Sequence, residues 1–225
     1  MLEFDEKTKK MVWKIVYYGP ALSGKTTNLL SLHDLLDPEK RGSMAEMNTK
    51  EDRTLFFDLL PLTYRTPAGG RLKIKVFTVP GQVQYDATRK QVLARADGVV
   101  FVADSQRSQS RNNSESFQNL VENARRVGLP FDRIPLVVQY NKRDLSDVVS
   151  EEEVMERWKD TGVPVLFSSA LYGRGVTETF QTIISQVVDY FESKYRISEN
   201  MGIEEQGLNQ HLLGGLNGDG ITTRV

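Results

Sequence analysis

Apolar residues fall into two alternating patterns, short runs and helical stripes, from near the N-terminus to about residue 195. The run Val12 to Tyr18 predicts a first strand that ends at Gly19. Thr26 to Leu36 reads as a helix stopped at Asp37-Pro38, because a proline disfavours helical backbone in the residue before it. Residues 39–53 are polar and weakly patterned, and a connection of that kind inside a compact domain is usually functional or mobile. Thr54 to Thr66 and Arg71 to Val79 predict two strands. The turn signal Pro67-Ala68-Gly69-Gly70 between them makes the pair an antiparallel hairpin. Val99 to Ala103, Ile134 to Tyr140 and Val163 to Phe167 predict three further strands. Asn112 to Val127 is helical in pattern, and Ser150 with Glu153 forms a capping box that opens a helix to about Asp160. The last helix has the plainest period: Val176, Phe180, Ile183, Ile184, Val187, Val188 and Phe191 recur every third or fourth position, and it ends near Tyr195. Strands that alternate with helices predict an α/β fold, a mostly parallel sheet with helices on both faces.

After Arg196 the pattern changes. Glycines stand at 202, 207, 214, 215, 218 and 220, no apolar period survives, and 196–225 reads as a flexible tail. Leu208, Leu212, Leu213 and Leu216 hint at a short docking helix, which Gly214 and Gly215 oppose, so disorder is expected there. The terminal Thr223-Arg224-Val225 has the form of a peptide that docks on a sheet edge in PDZ fashion. The chain thus divides into a short N-terminal extension over 1–11, a domain over 12–195 and a tail over 196–225.

Composition narrows the function classes. The 225 residues are 39% hydrophobic and 26% charged, with a formal net charge of -1. That balance argues against a nucleic-acid protein held by bulk charge. The chain has no cysteine, which removes disulfides, thiolate metal sites, a cysteine nucleophile and cysteine-linked lipid anchors. Its two histidines, His33 and His211, leave little material for a histidine metal site. No apolar run approaches the ~20 residues that span a bilayer. The N-terminus has no signal-peptide pattern, and Leu2 stands where myristoylation needs glycine. A cytoplasmic protein is expected.

Two motifs carry chemistry. Gly19-Pro20-Ala21-Leu22-Ser23-Gly24-Lys25-Thr26 matches GxxxxGK[ST] between a predicted strand and a predicted helix, the context that motif requires. Its glycines let backbone N–H groups turn inward around phosphates, and the helix N-terminus adds partial positive charge. Gly19, Ala21, Leu22, Ser23, Gly24, Lys25, Thr26 and Thr27 form the expected phosphate set, with Lys25 on the β- and γ-phosphates and Thr26 on Mg²⁺. The loop alone does not separate ATP from GTP. Asn141-Lys142-Arg143-Asp144, directly after a predicted strand, does. A carboxylate at Asp144 accepts from both N1–H and the 2-amino group of guanine, donors that adenine cannot match. Asn141 braces that loop or meets the base, and the Lys142 stem covers its face. Ser168-Ser169-Ala170, with Leu171 after it, follows the last strand, where a backbone N–H can face the guanine oxygen.

With these residues in place, the sequence resembles the small Ras-like GTPases, and more closely the bacterial MglA type, over roughly 12–195. The likeness also rests on Arg53-Thr54-Leu55-Phe56-Phe57-Asp58, Thr78-Val79-Pro80-Gly81-Gln82 and Gly98 to Ser105. It implies a Ras-like P-loop domain with a six- to seven-stranded sheet and one antiparallel hairpin, binding GTP or GDP with Mg²⁺. It implies further that Gly81 offers its N–H to the γ-phosphate, that Gln82 orients the attacking water and that Arg53 is an arginine finger supplied in cis. Thr54, with Thr49 as the alternative, meets Mg²⁺ in the GTP state, and segments 39–53 and 80–89 respond to the γ-phosphate. A Roadblock-type, MglB-like activator dimer and polarity or motility effectors are the implied partners, with the chain monomeric alone and recruited to a cell pole or membrane by them.

Two departures stand out. Ras-like proteins carry Asp-x-x-Gly-Gln, and this chain has Thr78 in the aspartate's place, an MglA-type trait; Asp58 is either the replacement carboxylate or a solvated strand residue. Ala21 stands where the relatives usually have glycine, and its methyl group points toward the space the glutamine and finger must enter. Slow intrinsic hydrolysis is expected, and a pseudo-GTPase scaffold with negligible turnover is the alternative. Arg107, Arg111, Arg125 and Arg126 form either an acidic-partner surface or a solvated helix face. Trp13 and Trp158 read as packing residues and His33 as structural or solvent-facing.

Overall fold

The strand patterns set the architecture of the computed structural model, which describes residues 3–5, 9–36, 38–39, 41–47, 57–66 and 68–213. In chain order the elements are β1 Glu3–Asp5, β2 Lys10–Tyr18, α1 Lys25–Leu35, β3 Ala45–Met47, β4 Phe57–Arg65, β5 Arg71–Thr78, α2 Asp86–Leu93 and β6 Gly98–Asp104. There follow α3 Ser110–Arg126, β7 Leu136–Asn141, α4 Glu151–Trp158, β8 Val165–Phe167, α5 Val176–Tyr195, α6 Ile197–Met201 and α7 Glu205–Leu213. The sheet runs β3-β4-β5-β2-β6-β7-β8. From β5 to β8 the pairs are parallel, and β4 returns antiparallel to β5 as the turn chemistry predicts. The three-residue strands β1 and β3 add two further antiparallel pairs, with β2 and β4. The expected N-terminal extension thus reaches the sheet through β1.

Alternation along β2 splits the interior into two cores. Trp13, Ile15 and Tyr17 face a core with Leu29 of α1 and Ile183 and Phe191 of α5. Val16 and Tyr18 face the opposite core with Leu93 of α2, Leu120 of α3 and Val154 of α4. Trp13 stacks on Phe191 at 5.5 Å between ring centroids, and Trp158 meets the edge of Phe117 at 5.3 Å, so both tryptophans pack as expected. Ser150 caps α4 by the reciprocal Ser–Glu153 box. Arg107 pairs with Glu153, Arg111 with Glu115 and Arg126 with Glu122, as a solvated face does. His33 is half-buried, with Nδ1 3.1 Å from Arg41 and 3.2 Å from Asp34.

Helix α2 has no signal in the apolar pattern, since of its buried residues only Val92 and Leu93 are apolar. Polar contacts hold it instead. Asp86, its first residue, accepts from Asn123 at 2.8 Å and Asn119 at 3.0 Å, both on α3, and Asn123 also donates to Tyr18 Oη. Burial pushes the Asp86 carboxyl up, but those amide donors and Lys90 outweigh it and hold the group down to about 2.

The tail departs most from expectation. Residues 197–201 and 205–213 are helical, and Ile197, Met201, Ile203, Leu208 and Leu212 are buried in the same core as Leu60, Leu62, Tyr64 and Phe191. Two short helices joined by a glycine turn leave no run long enough for a period to show. Arg196, in the left-handed region at φ 49°, turns the chain back after α5. The Glu192 carboxylate then accepts from the N–H and hydroxyl of Ser198. His211 meets the Tyr64 ring edge-on at 4.8 Å. Leu216 and the terminal Thr223-Arg224-Val225 lie outside the described residues.

Leu208→Ala or Leu212→Ala should therefore cost about 2–5 kcal/mol, read as a lowered denaturant midpoint. A free tail would leave the midpoint unchanged.

Candidate functional site

The phosphate loop leaves the end of β2, which is buried in mid-sheet, and enters α1. Its backbone is left-handed at Leu22 (φ 62°) and Gly24 (φ 94°). A Cβ on Gly24 would fall 2.2 Å from Asn141 Nδ2, so only glycine allows this approach. Gly24 is also the N-cap of α1, with no side-chain cap, which leaves the first helical N–H groups to a ligand. Lys25 is buried and donates to the carbonyls of Gly19 at 3.0 Å and Pro20 at 2.6 Å.

A cavity of about 650 Å³ opens over this loop, lined among others by Ala21, Lys25, Thr26, Asp58, Gly81 and Gln82. Its size falls in the range of small-ligand sites. On its far wall Asp58 Oδ2 accepts from Thr26 Oγ1 at 2.6 Å and from Thr78 Oγ1 at 2.8 Å, and the Asp58 N–H donates to Thr78 Oγ1 at 3.0 Å. The carboxylate that the sequence left undecided is thus directed at the phosphate-loop threonine. Leu22, Thr27 and Tyr85 also line it.

Gly81 lies against the loop itself: a Cβ there would fall 2.3 Å from the backbone of Ala21 and 2.5 Å from Pro20. Gln82 is exposed beside it, with its side-chain oxygen 3.3 Å from Gln84. Arg53, Thr54 and the alternative Thr49 lie outside the described residues.

The other two loops meet at Asn141. Its Nδ2 donates to the Ser23 carbonyl at 2.9 Å, and its Oδ1 accepts from Ser168 Oγ at 3.0 Å and from the Ala170 N–H at 2.9 Å. The Ala170 N–H is therefore directed at Asn141. Ser169 is buried, Leu171 is exposed, and Asp144 is exposed at the rim. Lys142, left-handed at φ 70°, donates to the buried Asp104 at 2.6 Å. Strained backbone at non-glycine positions collects at functional loops, and Leu22 and Lys142 place it in two of them.

Two comparisons bear on this site. Residues 41–189 match the family model described as Ras family. Over 175 residues, 78% of this chain and 90% of the relative, the chain is 44% identical to the mutual gliding-motility protein MglA of Myxococcus xanthus (strain DK1622). The chain belongs to the Ras family. It is a Ras-like GTPase of the MglA type, and guanine nucleotide is its ligand. No helix among the described residues is long and apolar enough to cross a membrane.

Sequence reasoning missed two charged neighbours of the GTPase site. Asp104, the partner of Lys142, reads in sequence as the end of an apolar strand. Arg89 is buried and stands 3.8 Å from Asp86, and their three-residue spacing on α2 is the one signal it left. Burial, helped by the Arg89 charge and opposed by Asp58, holds the Lys25 ammonium down to about 7. Because the folded-state value lies below the ordinary 10.5, the cost of holding this charge is full below pH 7. It is relieved as pH rises toward the unfolded value.

Phosphates favour the charged form, so GDP binding should take up a proton between those limits. Calorimetric titration at about pH 8.5, in two buffers of different ionisation enthalpy, should show uptake approaching one proton. No uptake would show that Lys25 is already charged in the empty site.

Proposed function

We propose that this GTPase is a guanine-nucleotide switch that hydrolyses GTP slowly on its own. It acts in cell motility or polarity with a Roadblock-type, MglB-like activator and nucleotide-dependent effectors. The observation that carries the reading is the close approach of Gly81 to the backbone of Pro20 and Ala21. A segment that rests on the phosphate loop must respond to what the loop holds, which is the requirement for a switch.

In this reading the phosphate-loop residues Gly19 to Thr27 cradle the phosphates and Lys25 neutralises them. Asn141, Lys142 and Asp144, with Ser169, Ala170 and Leu171, hold the guanine. The hydroxyl of Thr26 and the carboxylate of Asp58, 2.6 Å apart, are hard oxygen donors that suit Mg²⁺, and Thr54 joins them in the GTP state. Bound Mg²⁺ supplies charge neutralisation at the β- and γ-phosphates. Gln82 orients the attacking water, and Arg53 stabilises charge on the transferring phosphoryl group, an effect worth roughly 10³–10⁵ in rate when a finger is correctly placed.

In this reading the Ala21 methyl obstructs the approach of both groups to the phosphate. Its exposure toward the cavity that Gln82 also lines favours slow turnover. The same methyl group favours the second reading, a nucleotide-binding scaffold without turnover.

Single-turnover GTP hydrolysis by wild type, Ala21→Gly, Arg53→Ala and Gln82→Leu, each with and without a candidate Roadblock dimer, separates the readings. Ala21→Gly should be faster than wild type, and the other two variants slower by at least about a hundredfold with the partner present. Ala21→Gly no faster in either condition refutes the role of the methyl group, and no turnover in any variant leaves the scaffold.

A further inference from the structure

Beneath the nucleotide site, away from the cavity, three polar side chains are fully buried among apolar neighbours: Asn28 on α1, Gln139 on β7 and Thr179 on α5. They form one connected relay. Gln139 Nε2 donates to Asn28 Oδ1 at 2.9 Å and to Thr179 Oγ1 at 2.9 Å. Asn28 Nδ2 in turn donates to the Gly24 carbonyl at 3.0 Å, and the Thr179 hydroxyl donates to the Gly175 carbonyl at 2.6 Å. Gly24 closes the phosphate loop, and Gly175 closes the loop that begins at Ser168. Gln139 lies two residues before Asn141 on the same strand, hence on the same face of the sheet.

Two tiers of hydrogen bonds therefore join the same loops. Asn141 forms the upper tier, against Ser23, Ser168 and Ala170, and Gln139 forms the lower. The lower tier is costly. An amide in an apolar core is desolvated, and Gln139 Oε1 has no hydrogen-bond partner among the described residues. Apolar side chains of similar size would fill the place with less penalty. What the polar relay adds is geometry: it fixes Gly24 against Gly175 through directional bonds that packing alone does not supply.

We propose that Gln139 is a positioning residue for guanine nucleotide. Through Asn28 and Thr179 it holds the phosphate loop and the Ser168–Leu171 loop at one separation, and so sets the residence time of the nucleotide. The proposal rests on the reading of those loops as the phosphate and base sites.

The decisive variant is Asn28→Leu/Gln139→Leu/Thr179→Val, which removes every member of the relay and leaves no orphaned partner. Its melting temperature should equal or exceed that of wild type. Its release of a fluorescent GDP analogue should be faster by roughly ten- to a hundredfold, the scale of a small misplacement of binding groups. Its preference for GDP over IDP, which lacks the 2-amino group, should fall. A relay with a merely structural role lowers the melting temperature and leaves the release rate unchanged.

A second comparison covers failure of the triple variant to fold. Thr179→Val keeps the shape and loses the hydroxyl, whereas Thr179→Ser keeps the hydroxyl. The valine variant should release GDP faster and the serine variant should recover the slow release. A stable triple variant, or a valine variant, that releases GDP at the wild-type rate overturns the proposal. Wild-type protein that holds GDP no more tightly than ADP overturns the underlying reading of the loops instead.

Discussion

A single carboxylate shared by two hydroxyls ties the ligand loop to the sheet. Asp58 lies on β4, Thr26 on the first turn of α1 and Thr78 at the end of β5, and both threonine hydroxyls donate to the same oxygen of Asp58. Thr78 stands where the resemblance to Ras-like proteins places an aspartate, and the carboxylate that meets Thr26 is on the neighbouring strand of the hairpin. That placement has a structural consequence. The charge facing Thr26 now depends on the pairing of β4 with β5, whose register sets Leu59 opposite Phe77 and so brings Asp58 to Thr78.

β4 is held at both ends. Asp58, Leu60, Leu62 and Tyr64 alternate along it and share one face. At one end α1 meets Asp58, and at the other α7 packs beside Tyr64 through His211. The aligned relative covers 78% of this chain but 90% of its own length, so this chain is the longer of the two. Helices α6 and α7 follow the 41–189 stretch that matches the Ras family. They deepen the apolar core under the strand that carries Asp58.

Legibility followed the range of each interaction. The phosphate loop, Asn141 to Asp144 and Ser168 to Ala170 are contiguous, and the chemistry expected of them rests on spacing and on the strand before each. The hairpin, the capping box of α4 and the full length of α5 were equally local. Contacts set by register were barely legible: Asp58 could be read as a metal-side carboxylate or as a solvated strand residue, and nothing in the sequence brings Gln139 to Asn28 and Thr179. A glutamine inside a strand gives no sign that it is fully buried. Helix α2 escaped because Asn119, Asn123 and Asp86 hold it rather than an apolar stripe. Residues 197–213 escaped because five apolar side chains spread over two short helices and a turn have no readable period. In both segments tertiary contacts, not local propensity, decide the structure.

Asp58 is expected to serve as the carboxylate on the metal side of the site, in place of the residue at position 78. The most direct test is the Mg²⁺ dependence of GDP release in wild type, Thr26→Ala and Asp58→Asn, the last of which keeps the shape and removes the charge. The Mg²⁺ concentration that half-maximally slows release should rise by roughly 10–100-fold in Asp58→Asn, the usual scale for loss of a group that supports a metal, and Thr26→Ala should shift it in the same direction. A Thr26→Ala curve that shifts while the Asp58→Asn curve superimposes on wild type would contradict the account.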